Sequence, residues 1–181
     1  MKGVIFTEMV RFLEQSLGEI GADAVLVEAD LPHGGAFTSV GTYPSSQALA
    51  IVAVAARHSG RDVSELCEEY GRYLFDRFGD LFPAIIERYA TAEELLAHVG
   101  SHIHEEVRIL YPDARPPKIV TTNDGADMVI TYDSHRPFAM IAVGLVRRSL
   151  ERDAEARNVV VEVAPCLTRA TIRITAAQVA S

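Results

Sequence analysis

The chain has 181 residues, 49% hydrophobic and 23% charged, an ordinary globular balance and enough length to bury a real core. Its formal net charge of −8 leaves no basic footprint and argues against a nucleic-acid partner. The longest apolar stretch, Ala48–Ala56, is far too short to span a membrane, and Glu8, Arg11 and Glu14 interrupt the N-terminal apolar patch. The expectation is a cytoplasmic protein with no signal peptide and no membrane partner. Cys67 and Cys166 form neither CxxC nor CxxCH, which speaks against a cysteine-rich zinc site and against a thioether-linked cofactor.

Val4, Ile5, Met9, Phe12, Leu13 and Leu17 recur at helical spacing, and Gly18 ends that run. A short helix follows to about Ala29, then a glycine-rich loop from Leu31 to Tyr43. Ser45 or Ser46 suits the cap of a helix ending near Gly60, and Asp62 the cap of another, with a turn at Gly79 and a short segment around Pro83. Thr91 and Glu94 form a capping box for a helix running to Tyr111, where Pro112 stops it. The period then changes. Lys118–Thr122 and Met128–Tyr132 read as strands joined at Asn123-Asp124-Gly125, Pro137 suits the first turn of a helix to about Leu150, and Val159–Val163 and Thr171–Thr175 alternate as two more strands. Helices followed by a small antiparallel sheet with packed helices make an α+β fold. The expected organisation is one domain over 1–181, with a helical lobe over about 1–62 and an α+β lobe over about 63–181.

Three of the six histidines cluster: His98, His102 and His104. On a continuous helix Ala97, Gly100 and Ser101 lie on the face of His104, and all are small. A mid-helix glycine costs about 1 kcal/mol and so usually has a reason. Small residues beside one imidazole leave a trough in which a macrocycle could lie, its metal over the ring nitrogen. His102 instead neighbours His98, Glu105 and Glu106, a solvated face. The His98–His102 spacing is metal-like, but HVGSH lacks the glutamate of HExxH and no third ligand is evident.

Tyr132, Ser134 and Arg136 alternate with Thr131, Asp133 and His135, so an extended chain turns two hydroxyls and a guanidinium to one side. That set suits paired carboxylates, which arginine binds bidentately. Haem carries two such groups, its propionates, on one edge.

Together these features resemble the H-NOX family, the haem nitric-oxide/oxygen-binding domains related to the sensory region of soluble guanylate cyclase. The resemblance rests on MKGVIF, GRYLFDRFGDLFP, SHIHEEVRILYPDARPPKIV and YDSHRPF and covers most of the chain. It implies non-covalent haem b between the two lobes, His104 as proximal ligand and metal-binding residue, Tyr132, Ser134 and Arg136 on the propionates, and Pro117 pressing on the macrocycle. Gly100 and Ser101 are expected beside the haem. The positions matching the family's oxygen-stabilising tyrosine and its supports are Ile141, Leu74 and Met9, and other expected pocket residues are Ile5, Phe75 and Leu145. None carries a side-chain donor. Bound oxygen gains from a donor and nitric oxide or carbon monoxide depends on one much less, so this departure favours nitric oxide. Some members hold zinc in a C-terminal cysteine cluster; here only Cys166 stands in that region.

The implied activity is a nitric-oxide sensor in which ligand binding weakens the iron–His104 bond and a separate partner, such as a histidine kinase or a cyclic-nucleotide enzyme, reads the change. The rival is a haem-free or redox-responsive interaction module of the same fold. An enzyme is not expected: there is no P-loop and no GxSxG, and the HGGAF segment has no nucleophile elbow to accompany it.

Overall fold

The structure, a computed structural model, describes residues 1–153 and 157–176. It resolves into two compact units, Met1–Tyr70 and Gly71–Ser181. The boundary falls inside a helix, whereas the sequence reading set it just ahead of that helix.

The first unit begins with α1 (Gly3–Glu28), whose two halves meet at Gly18, φ 74° and ψ 165°. Those angles suit a glycine and not a helix, which is why the apolar run stops there. Helix α2 (Ser45–Ser59) packs against α1. Neither Ser45 nor Ser46 caps it; Pro44 occupies the cap position, and no side chain bonds the free N–H groups there. Asp62 does cap α3 (Val63–Leu81), accepting from the Ser64 N–H at 2.7 Å. The core of this unit is mostly apolar: Phe6, Met9, Phe12, Leu13, Ile51 and Tyr70 are buried, together with Glu8, which pairs with Arg11. The Tyr70 hydroxyl donates to the Ile5 carbonyl at 2.5 Å, so the one polar atom on that ring is satisfied.

No turn forms at Gly79, because α3 continues through it to Leu81. After α4 (Pro83–Ile86), helix α5 (Ala92–His98) opens with the expected cap. Thr91 accepts from the Glu94 N–H at 3.1 Å, and the Glu94 carboxylate reaches back to the Ala90 N–H at 2.8 Å. The expected single helix to Tyr111 is not uniform. Val99–Ile103 forms a π-helical turn before α6 (His104–Leu110).

Strands β1 (Lys118–Asp124), β2 (Asp127–Asp133), β3 (Arg157–Val163) and β4 (Arg169–Ala176) form one antiparallel sheet in the order β1-β2-β4-β3. Asp124 pairs with Asp127, which leaves Gly125-Ala126 as a two-residue hairpin loop; Gly125 takes φ 65°, as a primed turn requires. Alternate residues Met128, Ile130, Tyr132 and Ala170, Ile172, Ile174 are buried on one face. Helix α7 (Ala139–Leu150) covers that face with Val143, Val146 and Leu150, joined by Leu95 and Leu96 of α5. It starts two residues after Pro137, which therefore lies outside its first turn. The result is an α+β fold with one sheet face covered, and no helix among the described residues is long and apolar enough to cross a membrane.

A candidate haem-binding site

His104 opens α6 directly after the π turn, and its backbone N–H donates to the Val99 carbonyl, five residues back. The imidazole is half-buried, with its Nδ1 shielded from solvent. Burial pushes its pKa down to about 4; the Arg108 charge lowers it further, while the Pro117 carbonyl, hydrogen-bonded to the ring, and Glu105 act the other way. The ring is therefore neutral at neutral pH. Its Nδ1 is buried with no hydrogen-bond partner. A neutral imidazole with one unused nitrogen has the electronic form of a metal ligand.

The π turn changes the face arithmetic. Such a turn takes one residue more than an α turn, and each residue of an α-helix rotates the path by about 100°. Ala97 and Ser101 consequently swing away from His104, and both are exposed. Gly100 stays near but faces β1: a Cβ there would stand 2.2 Å from the Ile119 carbonyl oxygen. The trough expected from a regular helix is thus not formed by these small residues.

Tyr132 ends the buried row of β2, and Ser134 and Arg136 continue it into the following loop, while Thr131, Asp133 and His135 are exposed. The alternation is as expected of an extended chain. The Ser134 hydroxyl accepts from the Arg136 N–H at 3.1 Å and also bonds the Tyr132 hydroxyl. Burial raises the Tyr132 pKa, against that hydrogen bond, so the phenol stays protonated as a donor. Arg136 donates through Nη1 to the Arg115 carbonyl at 2.8 Å, and its Nε is buried with no partner. Burial draws its pKa down; Tyr132 opposes this and Arg115 adds to it. No carboxylate pairs with Arg136 among the described residues. A half-buried guanidinium without a counter-ion suits an anionic ligand.

Two backbone contacts that sequence reasoning missed hold this loop. The Ser134 N–H donates to the Thr168 carbonyl at 2.9 Å, and the Ala139 N–H to the Leu167 carbonyl at 3.0 Å. Backbone partners leave no signature in residue types, although Leu167 has the left-handed φ of 54° that shapes the turn.

The expected pocket residues divide between the two units. Ile5 and Met9 lie on α1 in the first, Ile5 half-buried and Met9 buried. Leu74 and Phe75 on α3 and Ile141 and Leu145 on α7 belong to the second, with Leu74 and Ile141 buried and the others half-buried. Within that unit α3 and α7 meet at Gly71, where a Cβ would lie 2.2 Å from the Ile141 carbonyl oxygen. A lone mid-helix glycine was the available signal for this contact, and it was not used. His98 stacks on Tyr89, with centroids 5.2 Å apart, and tilts against His102 at 4.6 Å. No third metal-ligating side chain joins that pair among the described residues.

The residues present fit haem in chemical kind: a neutral, half-buried imidazole with an unused nitrogen, an unpaired guanidinium beside two hydroxyls, and apolar side chains without donors. The comparisons agree. Residues 2–157 match the family described as haem-NO-binding. The Fe(II) unliganded H-NOX protein from K. algicida is 27% identical with a TM-score of 0.90, covering 100% of this chain and 99% of that one. The Fe(II)CO H-NOX from Shewanella woodyi is 31% identical with a TM-score of 0.80, covering 98% and 95%. An Fe(II)NO H-NOX protein from S. oneidensis, 19% identical over 98% of this chain and 100% of that one with a TM-score of 0.87, shares the fold. No curated protein matches the chain. With the family matched over most of its length and the fold shared nearly end to end, the chain belongs to the haem-NO-binding, or H-NOX, family.

Proposed function

We propose that this protein is a cytoplasmic haem-based sensor of nitric oxide and carbon monoxide without catalysis of its own. The observation that carries the reading is the pair of buried, unsatisfied groups, His104 Nδ1 and Arg136 Nε, in a chain of this family. His104 is the proximal ligand, kept neutral by burial. Tyr132, Ser134 and Arg136 would hold the propionates of bound haem, and Pro117, whose carbonyl engages the imidazole, would stand against the macrocycle. Bound haem b would supply an iron coordination position open to a diatomic gas. The residues that the family resemblance assigns to the gas-binding side, Ile5, Met9, Leu74, Phe75, Ile141 and Leu145, are all apolar and carry no side-chain donor, which favours nitric oxide over oxygen. His104 sits on a helix against the sheet, so a shift of the imidazole moves α6, and a separate partner of the histidine-kinase or cyclic-nucleotide class reads the change.

The test is the absorption spectrum of reduced protein purified with haem supplied, under nitric oxide, carbon monoxide and air. His104→Gly should lose the wild-type ferrous spectrum, and added imidazole should restore it. An unchanged spectrum in that variant removes His104 as ligand. A stable oxygen complex in air removes the selectivity, and a wild-type chain that takes up no haem favours the haem-free interaction module.

A further inference from the structure

The histidine-bearing helix and strand β1 meet in a ladder. The Thr121 hydroxyl donates to the Leu96 carbonyl at 3.0 Å. Gly100 lies so close to Ile119 that a Cβ would stand 2.2 Å from its carbonyl oxygen. The Pro117 carbonyl bonds the His104 imidazole. The rungs advance two residues at a time along the strand and four along the helix, in opposite directions. The π turn carries the middle rung, at Gly100, and ends just before the last, at His104. By adding a residue to that turn, it sets the direction in which His104 leaves the helix. The middle rung extends into the sheet, because Ile119 is the cross-strand partner of Tyr132.

We propose that this ladder is the positioning device for the His104 imidazole: Gly100 and Thr121, through their contacts with Ile119 and Leu96, fix where His104 stands relative to Tyr132 and so set the strength of the iron–histidine bond. The inference rests on His104 being the haem ligand. Gly100 is needed because any larger residue pushes the helix off β1 at the rung next to the histidine. Thr121 is needed because its hydroxyl ties down the carbonyl just before the π turn, where the α-helical ladder gives way.

The experiment uses the reduced haem-loaded protein and three variants: Gly100→Ala, Thr121→Val and, as a control, Thr131→Val. Thr131 bonds the Val120 carbonyl at 3.3 Å, is exposed, and takes no part in the ladder. Resonance Raman reads the iron–histidine stretch, and absorption reads the share of five-coordinate nitric-oxide complex. Gly100→Ala and Thr121→Val are expected to move the stretch from its wild-type position and change that share several-fold, with haem content retained, while Thr131→Val changes neither. If Gly100→Ala does not fold, Thr121→Val alone decides. An unchanged stretch in Thr121→Val overturns the proposal while leaving His104 as ligand. A wild-type protein with no iron–histidine band overturns the underlying reading instead. Amide exchange over residues 99–104 gives a readout independent of haem. Exchange there should be faster in Thr121→Val than in Thr131→Val, and equal rates would show that the ladder does not hold the helix.

Discussion

Two cysteines show how far burial, and not residue type, sets chemistry. Cys67 is buried in α3, where burial, helped by the Asp62 charge, pushes its thiol up to about 11. Cys166 is exposed, and its contact with the Thr168 hydroxyl at 2.9 Å lowers its pKa. The thiolate is the reactive form. Iodoacetamide near neutral pH should therefore label Cys166 in the folded protein and reach Cys67 only on unfolding. The Cys166 rate should rise with pH through a midpoint below that of an ordinary thiol. Equal labelling of both, followed by mass spectrometry, would contradict the burial of Cys67. Ile141 offers a second residue-scale test. It is buried and apolar, and the proposed selectivity for nitric oxide places it on the gas-binding side. Ile141→Tyr should lengthen the lifetime of the ferrous oxygen complex and leave carbon monoxide binding nearly unchanged, read by stopped-flow absorption. The identities of His104 and Arg136 were legible at this scale. Their unsatisfied nitrogens were not, since partner and burial are properties of the folded chain.

At the scale of elements, caps were the most readable features and face assignments the least. Thr91 and Glu94 close the capping box that their spacing announces. Thr91→Ala should cost about 1 kcal/mol in thermal or urea unfolding, while a loss near zero would mean that the cap adds nothing beyond packing. Ser45 is a favoured cap residue type but has no Glu or Gln three residues on, and it lies inside α2 with no capping bond. Gly79 suggested a turn, yet its Cβ position meets nothing within 4 Å, and α3 runs through it. Propensity is a weak prior that tertiary context overrides. The π turn was the costliest omission. Three small residues at helical spacing describe a trough only if the spacing stays 3.6 per turn, and Val99–Ile103 departs from it beside the histidine.

For the whole molecule, the second unit depends on a single covered sheet face. Ile172, fully buried on β4, sits in that face. Ile172→Ala should lower stability by about 2–5 kcal/mol, checked by the unfolding midpoint in denaturant; a loss under about 1 kcal/mol would mean that α7 does not seal the sheet. Haem, if it binds only the folded chain, adds stability by mass action. Free haem at about 100 times its dissociation constant should contribute about 2.7 kcal/mol. The wild-type melting temperature should rise accordingly, and the rise should shrink in His104→Gly.

The features of the fold and of the candidate haem site divide by physical cause. Residue order alone determined the α+β class, the strand alternation, the Gly18 and Gly125 breaks, and the donors in Tyr132, Ser134 and Arg136, because these depend on local sterics and on a period of two or 3.6. Tertiary structure decided the rest. It put Gly100 against Ile119, engaged the His104 ring with the Pro117 carbonyl, and left Arg136 without a carboxylate. Those outcomes depend on which distant segments pack together and what burial removes from water, and neither is encoded in the spacing of neighbouring residues.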